Sequence, residues 1–193
     1  MRSILTFIWS TGRLRRGTVK LCTAPELWAQ SRPRPQPVRR ERVNATLDSK
    51  IHVAFAFISE CWAQPRLAAL EALEKHFPGE IHVFGGCGIP QPKGVCKGMK
   101  ERSLECLREF SKKYWFYLAF ENAVCEEYVT EKLARGLDTQ SIPISMADQT
   151  GVRLPPRSYL KVPVDTGKVT DEGMAELAQQ MKKLMADREE YMR

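Results

Sequence analysis

The sequence contains no apolar run approaching the ~20 residues that a membrane-spanning helix requires. The opening MRSILTFIW is apolar but short, and Arg13, Arg15 and Arg16 soon follow, so it does not by itself make a signal or an anchor. There is no CxxC pair, no Cys/His spacing of the zinc-site type and no DxD motif. The three histidines, His52, His76 and His82, are scattered, two of them within predicted strands. Nothing in the sequence therefore requires a divalent metal. Six cysteines stand at irregular intervals, 22, 61, 87, 96, 106 and 125. Cys106 and Cys125 read as buried or free thiols. Cys87 and Cys96 bracket the loop GGCGIPQPKGVC and could bridge within it in an oxidising compartment, although unbridged thiols are the preferred reading.

What is present suits one ordinary domain, with 43% hydrophobic and 27% charged residues in a chain of 193. The net charge of +7 raises a nucleic-acid reading, so its location matters. Residues 1–50 hold eleven Lys/Arg against three Asp/Glu, whereas residues 51–193 hold nineteen against twenty. The basicity belongs to the N-terminal segment, and the near-neutral remainder argues against a nucleic-acid partner. That segment includes SRPRPQPVRRER, where alternating prolines remove backbone donors and favour extended chain. The expected division is a basic, Pro/Arg-rich, poorly ordered segment at 1–50 and a folded domain at 51–193.

From Ile51 the pattern is regular. IHVAFAF reads as a strand, and PRLAALEALEKHF places Leu67, Leu70, Leu73 and Phe77 on one helical face with Pro65 at its start. EIHVFGG, WFYLAFE and SIPIS read as further strands, and ERSLECLREFSKKY and YVTEKLARGL as further helices. After Pro155–Pro156, the stretch EGMAELAQQMKKLMADREEYM predicts a long amphipathic helix with Met174, Leu177, Met181, Leu184 and Met185 on its apolar side. Alternation at this spacing predicts an α/β fold, a Rossmann-like parallel sheet with helices on both faces. Ligands of such sheets settle outside the carboxyl ends of the strands. The polar cluster after WFYLAFE falls there.

The ordered string FYLAFENAVCEEYVTEKL resembles the signature of the α-1,3-fucosyltransferases. The likeness extends to VAFAFISECWAQPRLAALEAL with its arginine, to IHVFGGCG, and to the downstream IPI and LPPRSYL. It runs from Ile51 to about Tyr191 and implies the C-terminal, nucleotide-sugar-binding half of a two-domain GT-B enzyme. Residues 1–50 do not resemble the acceptor domain of that family.

The resemblance implies GDP-fucose as donor, no required cofactor or metal, an N-acetylglucosamine-containing glycan as acceptor, and inversion at the fucosyl carbon. It implies that Arg66, Asn122, Tyr128, Glu131 and Lys132 bind GDP-fucose. Their chemistry suits that role. Arg66 offers a planar fork of donors to a diphosphate, and Lys132 a compact ammonium near a helix start. Both would offset charge building on the departing GDP. Glu131 can accept from ribose hydroxyls, and Asn122 and Tyr128 can bond phosphate or sugar oxygens. Taken singly, Arg66 reads as a solvated surface charge, Glu131 with Arg135 as an ordinary i,i+4 pair and Tyr128 as a cap on the core. Their order in one family string favours the functional reading. Glu126 and Glu127 read as solvated loop charges and Glu121 as structural.

The family also implies a Golgi membrane enzyme facing the lumen, and Asn44–Ala45–Thr46 is a glycosylation sequon that lumenal exposure would make usable. The chain differs from the family's usual glycine-containing turn directly after the fourth strand, since here SIPIS runs into MADQTGVRLPP. It also ends at Met192–Arg193, before the cysteine-bearing segment usual in animal members, which points to a truncated or misjoined gene product. No catalytic base is visible, so the isolated chain is expected to transfer fucose slowly or not at all. The alternative is an inactive GDP-sugar-binding fragment.

Overall fold

The computed structural model describes residues 46–90, 96, 103–124, 129–146, 156–165 and 168–192. Its elements follow in the order β1 (His52–Phe57), α1 (Gln64–Glu74), β2 (Ile81–Phe84), α2 (Leu104–Ser111), β3 (Tyr114–Ala119), α3 (Glu131–Gly136) and β4 (Ile142–Ser145). Then come β5 (Leu160–Lys161), β6 (Val164–Asp165), β7 (Lys168–Val169), α4 (Asp171–Ala186) and α5 (Arg188–Tyr191). β1 to β5 form one parallel sheet in the order β2-β1-β3-β4-β5. β6 and β7 make a separate antiparallel pair.

Side-chain alternation explains why both faces are covered. On β1 and β3, Ala54, Ala56, Phe116 and Leu118, with Phe120 just beyond β3, join one buried cluster with Leu73 of α1 and Met174, Leu177 and Met181 of α4. Phe55, Tyr117 and Ala119 point the other way and meet Leu107 and Phe110 of α2 and Leu133 of α3. Gly136 permits the close approach of α3, since a Cβ there would lie 2.8 Å from Pro143 Cβ and 2.9 Å from Tyr117 Cδ1.

Several expectations are corrected. The sheet-facing stripe of α1 is Arg66, Ala69, Ala72 and Leu73, with Leu67 and Leu70 only half-buried, because small alanines let the helix lie close to the sheet. α3 begins at Glu131, where the Thr130 side chain caps it, so Val129 is not helical. The long C-terminal helix breaks at Asp187, whose carboxylate accepts from Glu190 N–H at 3.0 Å and starts α5. β5 adds to β4 in register Ile144↔Leu160, a two-residue strand too short to show a periodicity.

The cysteine reading is corrected too. Cys61 pairs with Cys87 and Cys96 with Cys106, at Cα separations of 5.3 and 4.9 Å. Neighbouring parallel strands bring the turns after β1 and β2 together, so Cys87 meets Cys61 rather than Cys96. Gly85, at φ +105°, makes the turn after β2 in a conformation that other residues avoid. Cys106 is therefore a disulfide partner, not a thiol. Cys125 lies outside the described residues.

At the amino ends of the strands, Leu47 and Lys50 are buried. Lys50 Nζ donates to the carbonyls of Ser111, Tyr114 and Gln140 at 2.9, 2.7 and 2.7 Å. Burial pushes its pKa down to about 7.

Candidate functional site

The crossover from β1 through α1 leads to β2 on one side, whereas β3 lies on the other side of β1. The chain thus leaves the carboxyl ends of β1 and β3 in opposite directions, which opens a crevice between them. Arg66 approaches it from the β1 side, and Glu121 and Asn122 from the β3 side.

Arg66 is 2% exposed. Its Nη1 donates to Asn122 Oδ1 at 2.6 Å and its Nη2 donates to the Glu60 carbonyl. Among the described residues, its buried Nε has no hydrogen-bond partner. Burial pushes the guanidinium below its ordinary value, while the Glu121 and Glu60 carboxylates oppose that shift. An arginine remains charged through such a change. The sequence expectation of a solvated surface charge, formed for Arg66 taken singly, is thereby overturned: Ala69 and Leu73 on the same stripe draw it under the helix.

The second half of the site is built around Glu121, which is 0% exposed. Its Oε1 accepts from the Thr130 backbone N–H at 3.0 Å, and the Thr130 hydroxyl lies 2.7 and 2.8 Å from its two oxygens. Lys132 Nζ donates to Glu121 Oε2 at 2.8 Å and approaches Thr130 Oγ1 at 3.2 Å. A buried carboxylate is costly unless bonded in this way. Glu121 thus fixes the start of α3 and aims the ammonium, which keeps 24% of its side chain exposed. With six residues, α3 aligns few peptide dipoles, so any attraction for an anion here comes from the Lys132 charge itself.

Glu131 is the first residue of α3, 57% exposed, with a carboxylate oxygen 3.9 Å from Lys132 Nζ. Of the five residues singled out from the sequence, Arg66 and Asn122 are brought into direct contact, and Glu131 and Lys132 share the α3 start. Tyr128 lies outside the described residues, as do Glu126 and Glu127. The sequence did not reveal the backbone carbonyl of Glu60, nor the binding of Lys132 by Glu121 and Thr130. The only trace of the second was the order of residues in FENxxxxxYVTEK.

The arrangement presents two cations, from the first turns of α1 and α3, beside an amide and the carboxylates of Glu121 and Glu131. Cations and hydrogen-bonding groups of these types suit an anionic ligand that also carries hydroxyl groups. Among the described residues, no three His, Cys, Asp or Glu side chains group as metal ligands. No described helix is long and apolar enough to cross a membrane.

A family model described as glycosyltransferase family 10 (fucosyltransferase), C-terminal region, matches residues 47–193. The chain is 32% identical over 188 residues to alpha-(1,3)-fucosyltransferase C of Drosophila melanogaster, covering 95% of this chain and 40% of that protein. It is 31% identical over 138 residues to alpha-(1,3)-fucosyltransferase fut-6 of Caenorhabditis elegans, covering 69% of this chain and 34% of the relative. The chain therefore spans two-fifths or less of these relatives. In structure it resembles an alpha1,3-fucosyltransferase crystallised with GDP-fucose, with TM-score 0.56 and 23% identity. That likeness covers 76% of this chain and 38% of the other and concerns the fold, one Rossmann-like half of a GT-B architecture.

Proposed function

The chain belongs to glycosyltransferase family 10, the fucosyltransferases, and on that premise we propose that residues 47–193 form the donor half of an α-1,3-fucosyltransferase that holds GDP-fucose in the crevice between β1 and β3. The observation that carries this reading is a buried Arg66, bonded to Asn122 and with its Nε unpartnered among the described residues, at the switch point of the sheet.

Arg66 and Lys132 face the diphosphate. Both charges are held before the donor arrives, Arg66 by the Glu60 carbonyl and Asn122, Lys132 by Glu121 and Thr130. Preorganised cations of this kind stabilise negative charge that grows on GDP as the bond to fucose breaks. Asn122 lies beside Arg66 and bonds a phosphate or sugar oxygen. Glu131, exposed at the start of α3, accepts from the ribose hydroxyls. Tyr128 completes the set as a further hydroxyl donor. Inversion requires a base on the opposite side of the fucosyl carbon, which takes the proton of the glycan hydroxyl.

We place this domain in the lumen of the Golgi, in a membrane-associated enzyme acting on N-acetylglucosamine-containing glycans. The two disulfides among the described residues suit an oxidising compartment. The Asn44 sequon supplies a check, since its modification requires lumenal exposure. The reading is tested by calorimetric titration of the chain with GDP-fucose. Saturable one-to-one binding is expected. A folded chain that gives no binding heat at any practical concentration, and no shift in melting temperature, would refute it.

A further inference from the structure

The loop whose carbonyl holds Arg66 is itself fastened to the neighbouring strand. Ile58 N–H donates to the Phe84 carbonyl at 2.8 Å, and Cys87 N–H donates back to the Ile58 carbonyl at 3.2 Å. One residue beyond Glu60, the Cys61–Cys87 disulfide closes the loop against the turn after β2. Trp62 adds a further tie, its indole N–H donating to Glu60 Oε2 at 2.8 Å. The Glu60 peptide is therefore held from both sides, and its carbonyl accepts from Arg66 Nη2. The same guanidinium reaches Asn122 through Nη1.

The two disulfides differ in surroundings. Cys61 is exposed and Cys87 half-buried, whereas Cys96 is 9% and Cys106 0% exposed. The Cys96–Cys106 bridge packs under the opposite face, beside Leu107 and Phe110.

We propose that the Cys61–Cys87 disulfide is a positioning element of the donor site, which keeps the Glu60 carbonyl in line with Arg66 and so keeps the guanidinium aimed at the diphosphate. Opening it frees the loop from 59 to 62 and lets Arg66 leave the orientation in which Nη1 meets Asn122. A dithiol reductant can open the bridge. Its thiolate attacks the exposed Cys61 sulfur and expels the Cys87 thiolate, and its second thiol then releases Cys61. Two electrons and two protons end on Cys61 and Cys87, and the reductant ends as its own disulfide. This inference rests on Arg66 being a diphosphate ligand, and the test separates the two.

GDP is titrated into the full chain, wild type and variants, at a temperature where circular dichroism shows each folded. Arg66→Ala measures the ligand role alone. The pair Cys61→Ala/Cys87→Ala is expected to weaken GDP binding about tenfold, as for one mispositioned charge-assisted contact, and to add little once Arg66→Ala is present. The pair Cys96→Ala/Cys106→Ala is expected to leave GDP affinity unchanged. Normal affinity in Cys61→Ala/Cys87→Ala, beside weakened binding in Arg66→Ala, would overturn the inference and leave the site assignment standing. Independent, multiplying losses would also overturn it. No effect of Arg66→Ala would defeat the assignment and the inference together. If the double variant does not fold, the wild-type chain is reduced under native conditions and its freed thiols are mapped by alkylation. Molecules open only at Cys61 and Cys87 are expected to bind GDP about tenfold more weakly and to recover on reoxidation; unchanged binding would sink the proposal.

Discussion

Replacing Glu121 by glutamine tests the internal architecture of the site with a change of one atom. The glutamine carbonyl can still accept from Thr130 N–H, but an NH₂ group then faces the Lys132 ammonium where Oε2 accepted at 2.8 Å. Donor meets donor. A charge-assisted hydrogen bond contributes about 1.5–3 kcal/mol, and Lys132 is 24% exposed and can turn to water, so the lower end applies. The expected loss is about 1.5–2 kcal/mol, which in a domain of this size lowers Tm by roughly 3–8 °C. Glu131→Gln serves as control: at 3.9 Å and 57% exposure its contact with Lys132 is worth little, within about 0.5 kcal/mol. Urea unfolding of Glu121→Gln, Lys132→Met and the double variant gives the coupling between the two side chains. A coupling of about 1 kcal/mol or more is expected. Additivity within about 0.3 kcal/mol would refute the claim that Glu121 aims Lys132.

Lys132→Ala should raise the Kd for GDP by about 10- to 100-fold, since a cation facing phosphate is lost; an unchanged Kd would remove Lys132 from the site. Glu131→Gln should weaken GDP binding more than Glu126→Gln, and equal behaviour of the two would return Glu131 to the class of solvated charges. Lys50→Met should destabilise the fold by about 2–3 kcal/mol, because three carbonyls lose their side-chain donor. It should spare GDP affinity, as Lys50 lies at the other end of the strands. Burial lowers the Lys50 pKa from 10.5 to about 7. Between those values the unfolded chain holds a proton that the folded chain lacks, so wild-type stability relative to Lys50→Met should rise with pH there, with the penalty complete below about 7. A flat difference would mean that the three carbonyls keep the ammonium charged throughout.

The sheet was legible because WFYLAFE and IHVAFAF are apolar on both alternating faces, a pattern that only a doubly covered strand satisfies. Four of the five donor-site candidates were legible in one string, FENxxxxxYVTEK, and Arg66 in a separate stretch, and no contact between them was. Glu121 and Lys132 are eleven residues apart and meet because the chain turns back after β3. Arg66 read as a surface charge when taken alone because an arginine at a helix start is most often solvated, whereas Ala69 and Ala72 mark the face of α1 that touches the sheet and carries Arg66 with it. A small residue carries little weight in a hydrophobic pattern, yet it decides how closely a helix can approach. The disulfide pairing depends on strand order, which periodicity does not encode: only with β2 beside β1 does Cys61 face Cys87.

The most direct test of the central claim is a crystal structure of the chain with GDP bound. The account predicts the diphosphate in the crevice between β1 and β3, within hydrogen-bond distance of both Arg66 and Lys132, with the ribose toward Glu131. GDP bound elsewhere on the chain, or in the crevice with its phosphates turned away from Arg66 and Lys132, would contradict it.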